Sequence, residues 1–298
     1  MTVLYLSAST DAVDASLFTK RDAVLRYIEN ESLDPGCIGA IGDSENDLPF
    51  LEIDGLGLVG APANAQEHVK ERVRRLPNSI VMSAEVLDGF VQFFDLALSR
   101  GIRHIVTDRD GVLIWKAGAR RDIARLQRLL LQPDPPARPS ISVLTGASVE
   151  QNIRFMREYA LQEKTLCSNW LLEHPEIIWA ENGSILIDVL TGKPRMVFPH
   201  GHTDEIRVLH GPFAANVLRR VAAEVLADFD LEYTRDPADQ AGRVYVPQKE
   251  TMLTLNIPHA TATEADFRRT PVADRLRSRM LAVMTEAAEA HGFTVRQV

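Results

Sequence analysis

The stretch Ile105-Val-Thr-Asp108-Arg-Asp110-Gly111-Val-Leu113 decides the fold of this chain. An apolar, β-branched run delivers two carboxylates two residues apart, and the glycine that follows permits a tight turn. Side chains at the C-terminal end of a parallel strand sit where open α/β sheets bind ligands. One carboxylate suits a nucleophile and the other a general acid or base. A plain turn or a cation-binding loop uses the same letters, so the stretch needs company elsewhere in the chain.

Three other places supply it. Gly42-Asp43-Ser44-Glu45-Asn46-Asp47-Leu48-Pro49 follows the apolar run Cys37–Ile41. Its acidic side chains repel one another unless a cation neutralises them, and hard oxygen donors of this kind suit Mg²⁺. Leu144-Thr145-Gly146-Ala147-Ser148 follows the strand-like run Ser140–Leu144 and precedes a helix-like one. A hydroxyl followed by backbone N–H groups at a helix start makes a phosphate cradle, although a simple N-cap is the plainer role for Thr145. Lys20 opens the helix-like run Thr19–Glu31, upstream of Asp43. Only six of the 33 basic residues are lysine, so its position carries information. A phosphate dianion among carboxylates requires a fixed cation; a solvated lysine at a helix start is the alternative.

Outward from these points, strand-like and helix-like runs alternate, as in an α/β protein with a parallel sheet. Strands are expected at Thr2–Ser7, Cys37–Ile41, Leu56–Val59, Ser79–Met82, Ile102–Thr107, Ser140–Leu144, Ile177–Ala180, Ser184–Ile187 and Arg195–Phe198. Helices are expected at Thr19–Glu31, Glu85–Leu98, Arg120–Leu131 and Val149–Tyr159, with a stiff proline loop at Pro133–Pro139. From about Gly201 the texture becomes α+β: long helices at Pro212–Phe229 and Pro271–His291, with strands Arg243–Val246 and Met252–Ile257 between them.

The 298 residues exceed one small module, and 45% hydrophobic with 25% charged residues is ordinary for a globular chain. A net charge of −8 speaks against non-specific nucleic-acid binding. Cys37 and Cys167 have no zinc or disulfide spacing. With no leader-like N-terminus and no long apolar run, the expected location is the cytoplasm and no membrane partner is expected. His200, His202 and His210 with Asp204 and Glu205 are too loosely spaced for a zinc site.

Taken together, Asp108-Arg-Asp-Gly111, Leu144-Thr-Gly-Ala-Ser148, Lys20 and Gly42-Asp-Ser-Glu-Asn-Asp-Leu-Pro-Phe-Leu-Glu52 resemble the four motifs of the haloacid dehalogenase superfamily. Glu181-Asn182-Gly183 and the segment Gly57–Asn64 resemble features of its Cof-type sugar-phosphate phosphatases, which carry a C2-type cap. The motif order is III, IV, I, II rather than I to IV, as a circular permutation would produce. The resemblance implies a Rossmann-like core over 15–200 and an α+β cap over 201–298 plus 1–14, with both termini in the cap. The segments Phe293–Val298 and Thr2–Ser7 are then expected side by side, as antiparallel strands. By the same resemblance, Asp108 is the nucleophile and Asp110 the general acid/base. Thr145 and Lys20 hold the phosphoryl group, and Asp108, the Asp110 carbonyl and Asp43 hold Mg²⁺. Asn46 and Asp47 support that shell or orient Lys20, Gly146 and Gly111 support it, and Asn182, Arg243 and Lys249 are substrate contacts, with Tyr245 and Glu250 further candidates. The implied substrate is a small phosphate monoester, a sugar phosphate first. The alternatives are a sugar phosphomutase and a catalytically silent binding domain. Arg21 and Val112 depart from the letters usual in the family without removing a reacting group.

Overall fold

The structure is a computed structural model that describes residues 2–9, 12–115, 123–131, 138–162, 171, 173–197, 203–236, 238–258 and 267–298. Cys167, His200, His202 and most of the proline loop lie outside the described residues. The chain divides into two compact units, Thr19–Val197 and Met1–Phe18 with Phe198–Val298.

In chain order the strands are β1 (Val3–Ala8), β2 (Ala12–Ser16), β3 (Ile38–Ile41), β4 (Leu58–Ala61), β5 (Ser79–Val81), β6 (His104–Thr107), β7 (Ser140–Leu144), β8 (Ile178–Ala180), β9 (Ile185–Ile187), β10 (Pro194–Met196), β11 (Tyr233–Thr234), β12 (Val244–Tyr245), β13 (Met252–Asn256) and β14 (Thr294–Gln297). The helices are α1 (Lys20–Asn30), α2 (Leu48–Leu51), α3 (Glu67–Val73), α4 (Val86–Ser99), α5 (Ile123–Leu131), α6 (Val149–Glu158), α7 (Thr203–Val208), α8 (Ala214–Arg220) and α9 (Pro271–Ala290).

Thr19–Val197 is built on a sheet in the order β10-β9-β8-β7-β6-β3-β4-β5. The six strands from β8 to β5 run parallel, and β9 and β10 add antiparallel strands at one edge. Alternate residues of a strand face opposite sides. Accordingly Ile105 joins a core with Phe90, Phe93, Leu126 and Phe155 of α4, α5 and α6. Val106 joins the other, with Val24, Phe50 and Val69 of α1, α2 and α3. Helices on both faces of a parallel sheet make this an α/β, Rossmann-like arrangement.

The strand order fixes where a site can form. From β3 the chain moves outward through β4 and β5, returns over α4, enters β6 beside β3, and then moves outward the other way through β7 and β8. The direction of travel reverses between β3 and β6, and crevices open at such switch points beyond the C-terminal strand ends. The two acidic loops follow these two strands.

The other unit has the sheet order β11-β12-β13-β2-β1-β14. One face carries Leu4, Leu6, Val13, Ala15, Leu253 and Leu255 into a core with Phe213, Val217, Met280 and Met284. Val3 pairs with Thr294 and Leu6 with Gln297, so β1 and β14 are neighbours, but they run parallel rather than antiparallel. The reason is the twenty-residue α9. A helical crossover from β13 returns the chain in the direction of β13, which is also the direction of β1 because β2 is antiparallel to both.

Other expectations also shift. The strand expected at Leu56–Val59 runs Leu58–Ala61, and Gly57 before it passes so close to the Gly36 carbonyl that a Cβ would lie 2.0 Å from its oxygen. The helical run expected from Pro212 starts at Thr203. It takes Pro212 inside a π-helical segment, Leu209–Phe213, and includes a second one at Val221–Val225. Among the described residues no helix is long and apolar enough to cross a membrane.

Gly60 on β4 leaves room for Phe93, since a Cβ there would lie 2.4 Å from the ring. Gly60→Ala should therefore lower stability by about 1–3 kcal/mol through overpacking. Denaturant melts of Gly60→Ala and of Gly60→Ala with Phe93→Leu check it; the second change should restore part of the loss.

Candidate active site

The turn after β6 is held from several directions. The Asp108 N–H donates to the Ile41 carbonyl at 3.1 Å, which ties the end of β6 to that of β3. The N–H groups of Leu113 and Ile114 both donate to the Arg109 carbonyl at 3.0 Å, and Gly111 N–H donates to the Ile114 carbonyl at 2.7 Å. Asn64 Nδ2 donates to the Gly111 carbonyl at 2.8 Å while its Oδ1 accepts from Val86 N–H at 2.7 Å. Gly111 has φ +89°, and a Cβ on it would lie 2.1 Å from Asp43 Oδ2. Glycine is thus required there both by backbone conformation and by the carboxylate packed against it.

Lys20 reaches this turn from the start of α1. Thr19 caps the helix in a reciprocal box: its Oγ1 accepts from Asp22 N–H and its own N–H donates to Asp22 Oδ2 at 2.8 Å. The cap fixes Lys20 in the first turn, and its Nζ lies 2.6 Å from both Asp47 Oδ1 and Asp108 Oδ1. All three side chains are buried. Asp47 turns its other oxygen back on its own loop, where Oδ2 accepts from the N–H groups of Asp43 at 2.9 Å and Ser44 at 3.0 Å. A Cβ on Gly42 would strike the Asp47 side chain at 2.4 Å. The sequence reading left Asp47 either a place in the metal shell or the orienting of Lys20; the structure pairs it with Lys20 directly.

Burial and charge oppose each other here. Burial alone would lower the Lys20 pKa, but Asp108 and Asp47 outweigh it and hold the ammonium above the ordinary lysine value. Burial pushes the Asp108 carboxyl up to about 6 against the pull of Lys20, with Asp47 and Asp110 adding to the rise. One oxygen each from Asp43, Asp47 and Asp108 fall within 4.8 Å of one another. Three buried hard-oxygen donors beside one ammonium, against glycines that make space for them, fit a divalent cation such as Mg²⁺.

β7 brings up the third loop. Thr107 on β6 pairs with Val143 on β7, so Thr145 lies next to the Asp108 turn in the sheet register. Thr145 Oγ1 accepts from Ala147 N–H at 3.1 Å, and Ser148 caps α6 in a second reciprocal box with Gln151. The loop is clamped by the turn at 181–183: Asn182 N–H donates to the Thr145 carbonyl at 3.0 Å and Glu181 N–H to the Ala147 carbonyl at 3.1 Å. Glu181, Asn182 and Gly183 all have positive φ. Asn182 is in reach of the same loop, since a Cβ on Gly146 would lie 3.4 Å from its Oδ1.

Asp110 is held by its neighbour. Arg109 Nη2 and Nε donate to Asp110 Oδ2 at 2.7 and 3.0 Å, and Nη1 donates to Asn152 Oδ1 at 2.9 Å. Asn152 is buried and donates in turn to the Ala147 and Ser148 carbonyls at 3.2 and 3.0 Å. Neither Arg109 nor Asn152 was among the residues singled out from sequence. The available signal was a cation set between two aspartates at the end of an apolar strand, which must find a partner once buried.

Asn46 is half-buried in the acidic loop. Arg243 pairs with Asp239 and with Glu232 at the surface, and Lys249 Nζ donates to Thr254 Oγ1 at 2.6 Å in a buried cluster with Asp14. Tyr245 is buried. Asp204 pairs with Arg207, Glu205 accepts from Thr2, and His210 is exposed. Among the described residues, the metal-type cluster is the one at Asp43, Asp47 and Asp108.

Over 74 residues the chain is 39% identical to the phosphoglycolate phosphatase of Methanopyrus kandleri, a match covering 25% of this chain and 29% of that protein. The chain therefore matches less than a third of the length of that curated relative. No family model and no solved structure matches it.

The Asp108 carboxyl gives the metal-free protein a pH signature. Its folded pKa near 6 lies above the unfolded value, so between about pH 4 and 6 the folded state keeps a proton that the unfolded chain has lost. This contribution to stability is present at low pH and is lost as pH rises through 6. In EDTA, the melting temperature of Asp108→Asn relative to wild type should rise between pH 5 and pH 7. A constant difference would contradict the raised pKa.

Proposed function

We propose that the protein is a Mg²⁺-dependent phosphatase of the haloacid dehalogenase superfamily, acting on a small phosphorylated metabolite. The observation that carries the proposal is Lys20 Nζ shared at 2.6 Å between Asp47 and Asp108, with Asp43 alongside, at the switch point of a parallel sheet. The four motif resemblances and the partial match to a phosphoglycolate phosphatase point the same way.

In this reaction Asp108 attacks phosphorus and carries the phosphoryl group as an aspartyl-phosphate. Asp110 protonates the departing oxygen and then takes a proton from the hydrolytic water. Lys20 holds Asp108 in place and offsets charge on the phosphoryl oxygens, with the Thr145 hydroxyl and the N–H groups that follow it. Asp108, Asp43 and the Asp110 carbonyl would hold Mg²⁺, which neutralises charge between an anionic nucleophile and an anionic substrate. Asp47 acts through Lys20, and Gly111 gives Asp43 its space. Asn182, beside Gly146, is the substrate contact this arrangement favours; Arg243 and Lys249 are already paired within their own unit. The unit of Met1–Phe18 and Phe198–Val298 is assigned as the cap, and the motif order as a circular permutation of the family's.

Phosphate release from a panel of sugar phosphates, polyol phosphates, phosphoglycolate, nucleotide monophosphates and 4-nitrophenyl phosphate tests the proposal. Mg²⁺-dependent turnover of one or more is expected, with a sugar phosphate first among them, and Asp108→Asn should lose at least about 1,000-fold. Equal inertness of wild type and mutant across the panel would sink it.

A further inference from the structure

Arg109 occupies a position whose neighbours explain more than packing. Its guanidinium is buried, and it is committed at both ends. One edge, Nε and Nη2, falls on Asp110 Oδ2 alone, at 3.0 and 2.7 Å. The other, Nη1, falls on Asn152 Oδ1 at 2.9 Å. Asn152 has its amide nitrogen on the carbonyls of Ala147 and Ser148, so the chain Asp110–Arg109–Asn152 ends on the loop after β7. The guanidinium carbon also sits 5.5 Å from the centre of the Phe155 ring, which covers it. A planar fork held in this way sets the rotation of its partner carboxylate, which a single ammonium does not. Both donors fall on Oδ2, and the Asp110 side chain remains 30% exposed, which leaves Oδ1 as the oxygen not bonded to Arg109.

We propose that Arg109 is a positioning residue for proton transfer: it locks Asp110 so that Oδ1 meets the ester oxygen, and it references that aim to the phosphate loop through Asn152. The assignment rests on the phosphatase reading above. In the first half-reaction the Asp108–phosphorus bond forms and the phosphorus–ester oxygen bond breaks. The departing oxygen takes the proton from Asp110 and leaves as an alcohol. In the second, water adds to phosphorus and gives a proton back to Asp110, and the Asp108–phosphorus bond breaks. Arg109 touches neither phosphorus nor water; it fixes where the proton is delivered.

This separates Arg109 from a packing residue by leaving group. An alkoxide cannot leave without a proton, whereas 4-nitrophenolate leaves as a stable anion. Arg109→Met keeps the length and apolar bulk of the side chain and removes the fork. The test is the first-turnover release of the leaving group, by rapid quench at saturating Mg²⁺. It compares the alkyl phosphate that wild type turns over best in the panel with 4-nitrophenyl phosphate. For Arg109→Met the alkyl rate should fall about 100-fold, the lower end of what general acid catalysis contributes. The aryl rate should fall by less than about five-fold, and KM for both should stay within about two-fold. Arg109→Lys, which keeps the charge and most of the volume, should show the same split reduced to about ten-fold, and carries the test should Arg109→Met not fold. Equal falls on both substrates, or no fall on either, overturn the assignment. Wild type inert on both substrates would instead defeat the phosphatase reading on which it rests, a result distinct from any behaviour of the variants.

Discussion

One buried ammonium governs the candidate site. Lys20 is the cation within 2.6 Å of both Asp47 and Asp108, and the third carboxylate, Asp43, lies beside them. Three buried carboxylates against one ammonium leave an excess of negative charge, which is costly to bury. The fold answers in two ways. Asp47 spends one oxygen on backbone N–H groups of its own loop, which stabilises its charge locally. Asp108 is pushed toward the neutral form. What remains is an imbalance of the kind that a divalent cation offsets.

That ammonium is in place only because of topology. Lys20 and the Asp43 loop precede Asp108 by dozens of residues, yet the sheet sets β3 directly beside β6. The return path over α4 makes this so: after β5 the chain comes back to the middle of the sheet rather than adding a strand at the edge. A site made from adjacent strand ends depends on the order of strands in space, not in sequence. Cutting and rejoining the chain elsewhere would leave Asp108, Asp43 and Thr145 on the same three strand ends. Gly42 and Gly111 show how closely the ends meet, since a side chain at either would displace a carboxylate.

What could be read from sequence follows the range of the forces involved. Strands that alternate between two apolar cores, such as β6 with Ile105 and Val106, announce themselves by composition. So do acidic loops at their ends. The strand Ala12–Ser16 does not, because Asp14 and Ser16 interrupt its apolar pattern; they are buried polar groups, and Asp14 accepts from Thr254, 240 residues away. The sense of β14 was likewise set by a helix crossover rather than by anything local. The π-helical segment Leu209–Phe213 takes Pro212 inside a helical run that continues on both sides of it. At the site, side chains that bond within their own turn, such as Thr145, were visible as motifs. Arg109 and Asn152 were not, since their partnership crosses from the end of β6 to the start of α6.

Lys20 and Arg109 show two distinct uses of positive charge within one site. Lys20 is a compact charge between two carboxylates on different loops, where equal distances to both matter more than orientation. Arg109 is a directional fork, with one edge on Asp110 and the other on an amide bonded to the loop after β7. Exchanging the two types would not be conservative at either place. At 20 one nitrogen lies 2.6 Å from two oxygens, whereas at 109 three nitrogens of one planar group serve Asp110 and Asn152. The scarcity of lysine in this arginine-rich chain therefore has a physical meaning at position 20. There a compact charge is shared between two buried carboxylates, and the sequence departs from its general preference to supply one.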